Sequence, residues 1–250
     1  MTDFLGIIPA RYASTRFPGK PLALLGQKPM IQRVYESASS RFEHLLVATD
    51  DARIYDAVLA FGGKVVMTST DHRSGTERCA EAASLYEKES GLRFTYVVNI
   101  QGDEPLIQSK QLLILANCIQ QDETPIATLI RPMNSSEEFE NPNVVKVVVD
   151  LNLNALYFSR APIPRLRDAS SERKTGGPEF YTHIGLYAFR REVLETLVKL
   201  SPTPLEQTES LEQLRWMEHG LGIRCAITSL SSLGVDTPED LEKILKEKRF

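Results

Sequence analysis

The chain has 250 residues, of which 42% are hydrophobic and 25% are charged. This composition fits one large globular domain, or one domain with an added lobe. The formal net charge of −4 argues against a general nucleic-acid-binding protein, which usually carries a basic excess. No apolar run approaches the roughly 18 residues of a membrane-spanning helix, and the first residues lack the pattern of a signal peptide.

We therefore expect a cytoplasmic protein without a nucleic-acid partner and without a stable association with membranes. Three widely spaced cysteines, Cys79, Cys118 and Cys225, fit this expectation as reduced thiols of the core. Their spacing matches no pattern of metal ligands or disulfides.

Strand-like and helix-like segments alternate along the chain, which favours an α/β fold with a mainly parallel sheet. Short apolar runs predict strands at residues 4–8, 44–48, 64–67, 94–100, 126–130, 144–149, 155–159, 184–189 and 223–230. Apolar residues at helical spacing predict helices that begin near residues 30, 51, 74, 109, 191, 209 and 238. Helix N-caps are predicted at Asp50 or Asp51, at Ser74 within a Ser-x-x-Glu capping box, and at Thr237.

The pattern changes after Pro132. The strands at 144–149 and 155–159 are joined by a segment rich in Asn, which predicts a hairpin that forms an arm or a lobe. Residues 166–180 are rich in charge, Gly and Ser and predict an exposed mobile loop.

Three cations, Arg11, Arg16 and Lys20, lie in an irregular segment directly after the first predicted strand. Open α/β sheets bind ligands at the carboxyl ends of their strands, and converging guanidinium and ammonium groups suit a polyphosphate. The alternative is a solvated surface loop, since single Arg and Lys side chains are usually exposed. The segment contains neither a Walker A motif nor Gly-x-Gly-x-x-Gly. Phosphate would therefore be held by side-chain cations, helped by backbone N–H groups.

Two aspartates can complement these cations. Asp103 follows the apolar strand 94–100, so it belongs to the same edge of the sheet, and its carboxylate can hold Mg²⁺. A tight-turn role is the alternative for Asp103. Asp236 precedes a capped helix start, where the helix dipole stabilises a carboxylate in any case. If both bind one metal, the site suits phosphoryl or nucleotidyl transfer.

The sequence pattern around other polar residues indicates their roles less specifically. His183 begins a predicted strand and is more often structural in such a place. Arg160, between a strand and two prolines, is a guanidinium that can bind a carboxylate in a bidentate manner. The amphipathic spacing of the helix at 209–219 predicts that Glu212 and Gln213 are ordinary surface residues.

Taken together, these segments resemble the 3-deoxy-manno-octulosonate cytidylyltransferase family. The segments that carry the resemblance are IPARYASTRFPGKP at 8–21, VATDD at 47–51, SGTER at 74–78, NIQGDEP at 99–105, ALYFSRAPIP at 155–164, HIGLYAF at 183–189, LEQLR at 211–215 and GVDTP at 234–238. They follow one another over nearly the whole chain. The first segment alone would indicate only a sugar-activating nucleotidyltransferase, whereas the set is specific.

The resemblance implies a three-layer α/β/α nucleotidyltransferase (Rossmann-like) fold with a mixed, mainly parallel sheet and a smaller β-rich lobe used in homodimerisation. It implies one domain over residues 1–250, to which about 133–190 contribute the lobe with its hairpin. It also implies a Mg²⁺-dependent reaction of CTP with 3-deoxy-manno-octulosonate (Kdo) that forms CMP-Kdo and diphosphate, for lipopolysaccharide biosynthesis. The partners are then CTP, Kdo and a second copy of the chain.

The resemblance also assigns residues to roles. CTP binding is implied for Pro9, Ala10, Arg11, Ser14, Arg16, Lys20, Arg73, Ser74 and Asp103. Sugar binding is implied for Gln101, Arg160, His183, Tyr187, Glu212 and Gln213. Catalysis is implied for Arg11, Lys20, Asp103 and Asp236, the last two as the Mg²⁺ ligands.

Three alternatives remain at this point. The same chemistry on another acidic sugar, 8-amino-Kdo or a sialic acid, is the nearest. A catalytically silent nucleotide-binding module is disfavoured, because binding alone does not need two metal ligands. A dinucleotide-dependent dehydrogenase lacks its glycine fingerprint in this chain.

Overall fold

The structure is a computed structural model that describes residues 1–14, 16–121, 124–165, 179–231 and 234–247. Its strands are β1 (Phe4–Ala10), β2 (Leu24–Leu25), β3 (Lys28–Pro29), β4 (His44–Thr49), β5 (Val65–Met67), β6 (Tyr96–Asn99), β7 (Ile126–Pro132), β8 (Lys146–Val149), β9 (Ala155–Ser159), β10 (Tyr181–Arg190) and β11 (Ile223–Ile227). Its α-helices are α1 (Met30–Ser39), α2 (Ala52–Ala60), α3 (Gly75–Ser90), α4 (Ser109–Ile119), α5 (Ser136–Glu140), α6 (Arg191–Leu197), α7 (Pro204–Glu209), α8 (Glu212–Glu218) and α9 (Pro238–Glu247). A short 3₁₀ helix spans Lys20–Leu22.

The main sheet has the strand order β11-β7-β10-β6-β1-β4-β5. Strands β6, β1, β4 and β5 are parallel to one another, whereas β10 runs antiparallel to both β6 and β7. As predicted, the sheet is mixed and has a parallel half. The parallel half brings the carboxyl ends of β1 and β6 side by side.

The predicted hairpin is present, with β8 and β9 paired antiparallel. Strand β8 also pairs with β10, so the hairpin continues the main sheet through the first residues of β10. Its turn contacts the edge strand β11, where the N–H of Cys225 donates to the carbonyl of Leu153 over 2.8 Å. The prediction of one domain with a smaller lobe stays a prediction, and most of the loop predicted at 166–180 lies outside the described residues.

Helices cover both faces of the sheet and form the three predicted layers. Apolar residues of α1, α2 and α4 pack on one face, and those of α3, α6 and α8 pack on the other. Strand β1 shows why a continuous apolar run suits this position. Ile7 faces one core and Ile8 the other, and both are fully buried.

The helix predicted at 209–219 does not begin at the predicted residue. Ser210 adopts a left-handed conformation with φ of 52°, which ends α7 and lets α8 begin at Glu212. The short helix α5 was missed, because a single helical turn carries too little periodicity to be recognised.

Among the described residues no helix is long and apolar enough to cross a membrane. All three cysteines are buried and unpaired, as predicted.

Gly102 marks a close approach between two chain segments at the carboxyl edge of the sheet. A Cβ atom on Gly102 would lie 2.9 Å from the carbonyl oxygen of Pro9 and 3.4 Å from the side chain of Ile8. The turn after β6 therefore packs against the end of β1 at a distance that only glycine permits without a shift of the backbone.

We expect Gly102→Ala to lower the free energy of unfolding by about 1–3 kcal/mol, since the new methyl group overpacks against a backbone atom. The matched control is Gly222→Ala, because no described atom outside its immediate neighbours lies within 4 Å of the added Cβ. The control should leave stability unchanged or raise it by about 0.4–1 kcal/mol through a stiffer unfolded chain. Urea denaturation measures both variants, and equal stabilities would contradict the close-approach argument.

Candidate active site

A cavity of about 250 Å³ opens at the carboxyl ends of β1 and β6. Every residue for which CTP binding was predicted contributes to its lining, together with Asp236 and Gln101. The lining consists of Pro9, Ala10, Arg11, Ser14, Arg16, Lys20, Pro21, His72, Arg73, Ser74, Gly75, Arg78, Gln101, Gly102, Asp103 and Asp236. The ligand-binding edge expected for an open α/β sheet is thus the edge that holds the cavity.

Cations and carboxylates alternate on one wall of this cavity. The Lys20 ammonium nitrogen lies 2.7 Å from Oδ2 of Asp103 and 3.6 Å from Oδ1 of Asp236. The guanidinium of Arg16 donates both terminal N–H groups to Asp236, over 3.0 and 3.1 Å. Arg11 is exposed at the rim. Two carboxylates from distant parts of the sequence therefore reach the same ammonium group.

The backbone around the two aspartates explains why they converge. The N–H of Val235 donates to the carbonyl oxygen of Asp103 over 2.9 Å. The Val235 side chain is fully buried against Leu25, Met30 and Ile244, a small core that joins α9 to the opening segment. A hydrophobic anchor and one backbone hydrogen bond thus place Asp236 beside Asp103.

The cationic segment between β1 and the 3₁₀ helix folds back on itself. The carbonyl of Tyr12 accepts hydrogen bonds from the N–H groups of Ser14 and Gly19, each over 2.9 Å. Gly19 has a φ of 71°, and a Cβ there would lie 3.0 Å from the Tyr12 ring, so glycine is required. The Arg53 guanidinium carbon of α2 lies 3.3 Å from the centroid of that ring, a cation–π contact that ties the segment to the helix layer.

The opposite wall is the beginning of α3. Ser74 caps this helix, as predicted, because its hydroxyl accepts the N–H of Glu77 over 3.2 Å. The predicted capping box also requires that the Glu77 side chain accept the N–H of Ser74, and the structure does not show this bond among the described residues. The Glu77 carboxylate accepts the N–H of Arg73, over 2.7 Å, instead of that of Ser74. Glu77 therefore holds the chain one residue earlier, within the cavity wall.

Sequence reasoning missed Arg78 as a lining residue. Arg78 is buried, and its guanidinium donates to the Asp50 carboxylate and to the Thr68 hydroxyl, each over 2.6 Å. A charged residue in the second turn of a helix is usually exposed, so no local signal marks Arg78. Its Asp50 partner lies at the end of β4, which also explains why Asp51 and not Asp50 caps α2.

The donor set suits Mg²⁺ held together with phosphates. Mg²⁺ is usually bound by one or two carboxylates plus substrate phosphate oxygens, with several water ligands retained. Asp103 and Asp236 supply two carboxylates at one point, and the cationic segment faces the same space. The described residues form no cluster of three or more His, Cys, Asp or Glu side chains that would cage a metal by protein ligands alone.

The residues predicted to bind the sugar divide into two groups. Gln101 lines the cavity and donates to the carbonyl of Gly185 over 2.7 Å. The others lie outside the cavity lining, on the side of β10 and the α7–α8 junction. Arg160 donates from its guanidinium to the carbonyls of Glu209, Pro142 and Ser210.

His183 contacts a buried hydroxyl group. Nε2 of His183 lies 3.0 Å from the Thr128 hydroxyl oxygen, which also lies 2.8 Å from the carbonyl of Leu186. Burial beside the Phe158 and Tyr187 rings lowers the pKa of His183 to about 3, so the ring is neutral.

The prediction that Glu212 and Gln213 are surface residues is wrong. Gln213 is only 5% exposed, and the Glu212 carboxylate accepts the Thr76 hydroxyl of α3 over 2.8 Å. Burial raises the pKa of Glu212. The reason is the left-handed turn at Ser210, which rotates α8 so that its first residues face α3 and the sheet.

Three polar groups on this side are buried without a hydrogen-bond partner among the described residues. They are the Tyr187 hydroxyl, Nε2 of Gln213 and Oδ1 of Asn99. Buried polar atoms in native structures nearly always have a partner. None of the three residues belongs to the lining of the cavity.

A cationic segment and two converging carboxylates at the carboxyl edge of the parallel half of the sheet fit a nucleotidyltransferase. The sequence matches the cytidylyltransferase family model over residues 5–227. A 3-deoxy-manno-octulosonate cytidylyltransferase of Bacteroides thetaiotaomicron is 54% identical over 98% of this chain and 99% of the relative. The enzyme of the same name from Parabacteroides distasonis is 52% identical over 98% of both chains.

A solved structure of CMP:2-keto-3-deoxy-manno-octonic acid synthetase complexed with CTP is similar at a TM-score of 0.88. It is 42% identical and covers 98% of both chains. The chain belongs to the 3-deoxy-manno-octulosonate cytidylyltransferase family.

Proposed function

We propose that this chain transfers the cytidylyl group of CTP to Kdo, forming CMP-Kdo and diphosphate for lipopolysaccharide biosynthesis in the cytoplasm. The observation that carries the proposal is the convergence of Asp103 and Asp236 on Lys20 inside a cavity rimmed by Arg11 and Arg16. The names of the relatives at about half identity supply the substrates.

The cationic wall suits the triphosphate of CTP. In the reaction a sugar hydroxyl oxygen forms a new bond to the α-phosphorus, and the bond from that phosphorus to the bridging oxygen of the β-phosphate breaks. Negative charge then grows on the leaving diphosphate, where Lys20, Arg11 and Arg16 offset it. The folded-back segment around Tyr12 holds these cations in place before the substrate arrives, so little reorganisation is needed.

Asp103 and Asp236 are the residues that would hold Mg²⁺, which when bound screens phosphate charge and lowers the pKa of a nearby hydroxyl. Lys20 already lies between the two carboxylates and so keeps them together in a compact arrangement. The same ammonium belongs to the lining of the cavity, where it can also bind phosphate oxygens.

The side of the site next to β10 suits an acidic sugar. Asn99, Tyr187 and Gln213 offer buried polar atoms for hydroxyl groups, and Gln101 connects this side to the nucleotide cavity. Among the described residues, the partly exposed guanidinium of Arg160 donates to carbonyl groups, so its charge remains available for a carboxylate.

The substrate assignment is tested by a panel that measures diphosphate release. CTP, UTP, ATP and GTP are each combined with Kdo, 8-amino-Kdo and sialate in the presence of Mg²⁺. We expect turnover with CTP and Kdo to exceed every other pair by at least about tenfold in kcat/KM, a difference of roughly 1.4 kcal/mol in transition-state binding. A preference for 8-amino-Kdo or sialate would contradict Kdo as the sugar substrate. Absence of diphosphate release with every pair would overturn the enzymatic function.

The role of the carboxylate wall is tested by Asp103→Asn. We expect kcat to fall by at least about 100-fold, the scale seen when one preorganised electrostatic group is removed. The side chain keeps its size, so the thermal midpoint should change little. Asp56→Asn, an exposed position on α2, is the matched control and should retain full activity. Near-normal turnover of Asp103→Asn under saturating Mg²⁺ would refute the assignment.

We further propose a homodimer that uses the hairpin. Leu151 in its turn is fully exposed and Leu156 on β9 is 60% exposed, an unfavourable situation for two neighbouring apolar residues in a single chain. Light scattering should give twice the chain mass of 28.1 kDa. The double variant Leu151→Lys, Leu156→Lys should shift the protein towards monomer, whereas Leu59→Lys on α2 should not. A monomeric wild type at micromolar concentration would contradict this proposal.

A further inference from the structure

The segment 68–73, called here the 68–73 wall, ends in His72 and Arg73, which line the nucleotide cavity. Side chains of α3 hold this segment. Three residues from the first turns of α3 make the contacts. Arg78 binds the Thr68 hydroxyl and the carbonyl of Ser69, and Glu77 accepts the N–H of Arg73. The third residue is Glu81, which no assigned role includes.

Glu81 contacts the wall at two points. One carboxylate oxygen, Oε2, accepts the backbone N–H of Ser69 over 2.8 Å and also bonds to Nε2 of His72. His72 lines the cavity directly, next to Arg73 and Ser74. The N–H of Ser69 and the His72 ring outweigh the effect of burial, so the pKa of Glu81 is lowered and the carboxylate stays ionised at neutral pH.

The outer side of this wall is open. His72 also lines a second cavity of about 470 Å³ between α3 and α6, together with Glu77, Glu81, Ser84, Glu195 and Lys199. The wall therefore lies between two cavities, and the second is lined by the apolar side chains of Ala80 and Val198 as well as by these polar ones. Side chains of α3 hold the wall through the hydrogen bonds given above.

We propose that Glu81 is a positioning residue that sets the nucleotide-facing wall of the cavity through His72 and the backbone of Ser69. The inference rests on the proposed function for the identity of the nucleotide, CTP. The reacting groups Lys20, Asp103 and Asp236 lie on the other wall. A displaced 68–73 wall should therefore weaken the binding of CTP and leave the chemical step nearly unchanged.

Steady-state kinetics separate this role from a general structural one. We expect Glu81→Ala to raise KM for CTP about tenfold, with kcat and KM for Kdo changed by less than about twofold. Glu81→Gln keeps a neutral acceptor and should raise KM for CTP only about threefold, because a hydrogen bond to a charged group is worth more than one to a neutral group. Glu195→Ala is the matched control, since Glu195 lines the same outer cavity but bonds to Arg191 and should behave as the wild type.

Hydrogen exchange of the Ser69 amide, measured in the free protein, provides a readout that does not depend on activity. Faster exchange in Glu81→Ala together with the tenfold rise in KM supports the proposal. An unchanged KM for CTP, or an equal loss for both substrates, overturns it. If the wild type shows no turnover, the proposed function fails separately. The dissociation constant for CTP, measured by calorimetry, then tests the role of Glu81. A change below about twofold in Glu81→Ala would count against that role.

Discussion

The meeting of Asp103 and Asp236 at the ammonium group of Lys20 is the interaction on which the site depends. Two carboxylates at one point repel each other, and a cation between them removes that penalty. The arrangement requires that the turn after β6, the segment before α9 and the segment after β1 all reach one place. The parallel pairing of β1 with β6 meets the first requirement, and the buried side chain of Val235 meets the second.

The cationic segment is built differently from a glycine-rich phosphate-binding loop. A Walker A loop wraps backbone N–H groups around the phosphates, whereas this chain presents side-chain cations from a segment closed on the carbonyl of Tyr12. Glycine is still needed, but for another reason. Gly19 lets the segment turn under the Tyr12 ring, and Gly102 lets the turn after β6 touch β1.

In the proposed function, nucleotide binding and the chemical step fall to different walls of the cavity. The wall made by Arg16, Lys20, Asp103 and Asp236 carries the charges that a transferring phosphoryl group requires. The 68–73 wall carries no group that the proposed reaction uses, and side chains of α3 hold it. A change on one wall can therefore alter affinity without altering the rate of the chemical step.

Local sequence patterns predicted those parts of the fold that local forces decide. The strands of the parallel half are short apolar runs because both of their faces are buried, and each was found within a few residues. The N-caps at Ser74 and Thr237 were recognisable, because a hydroxyl that accepts a backbone N–H works within three residues. The helix predicted at 209–219 is present as α8, but its predicted start was wrong, since amphipathic spacing did not reveal the left-handed turn at Ser210.

By itself, the sequence determined the α/β alternation, the cationic segment and the two aspartates as separate candidates. The tertiary structure alone decided that they meet. Lys20 and Asp103 are 83 residues apart, and Arg16 and Asp236 are 220 residues apart. It also decided that Glu212 faces α3 and that Arg78 and Glu81 hold the cavity wall. The physical reason is that contacts between remote segments follow from strand order and helix packing, which no local pattern of residue types contains.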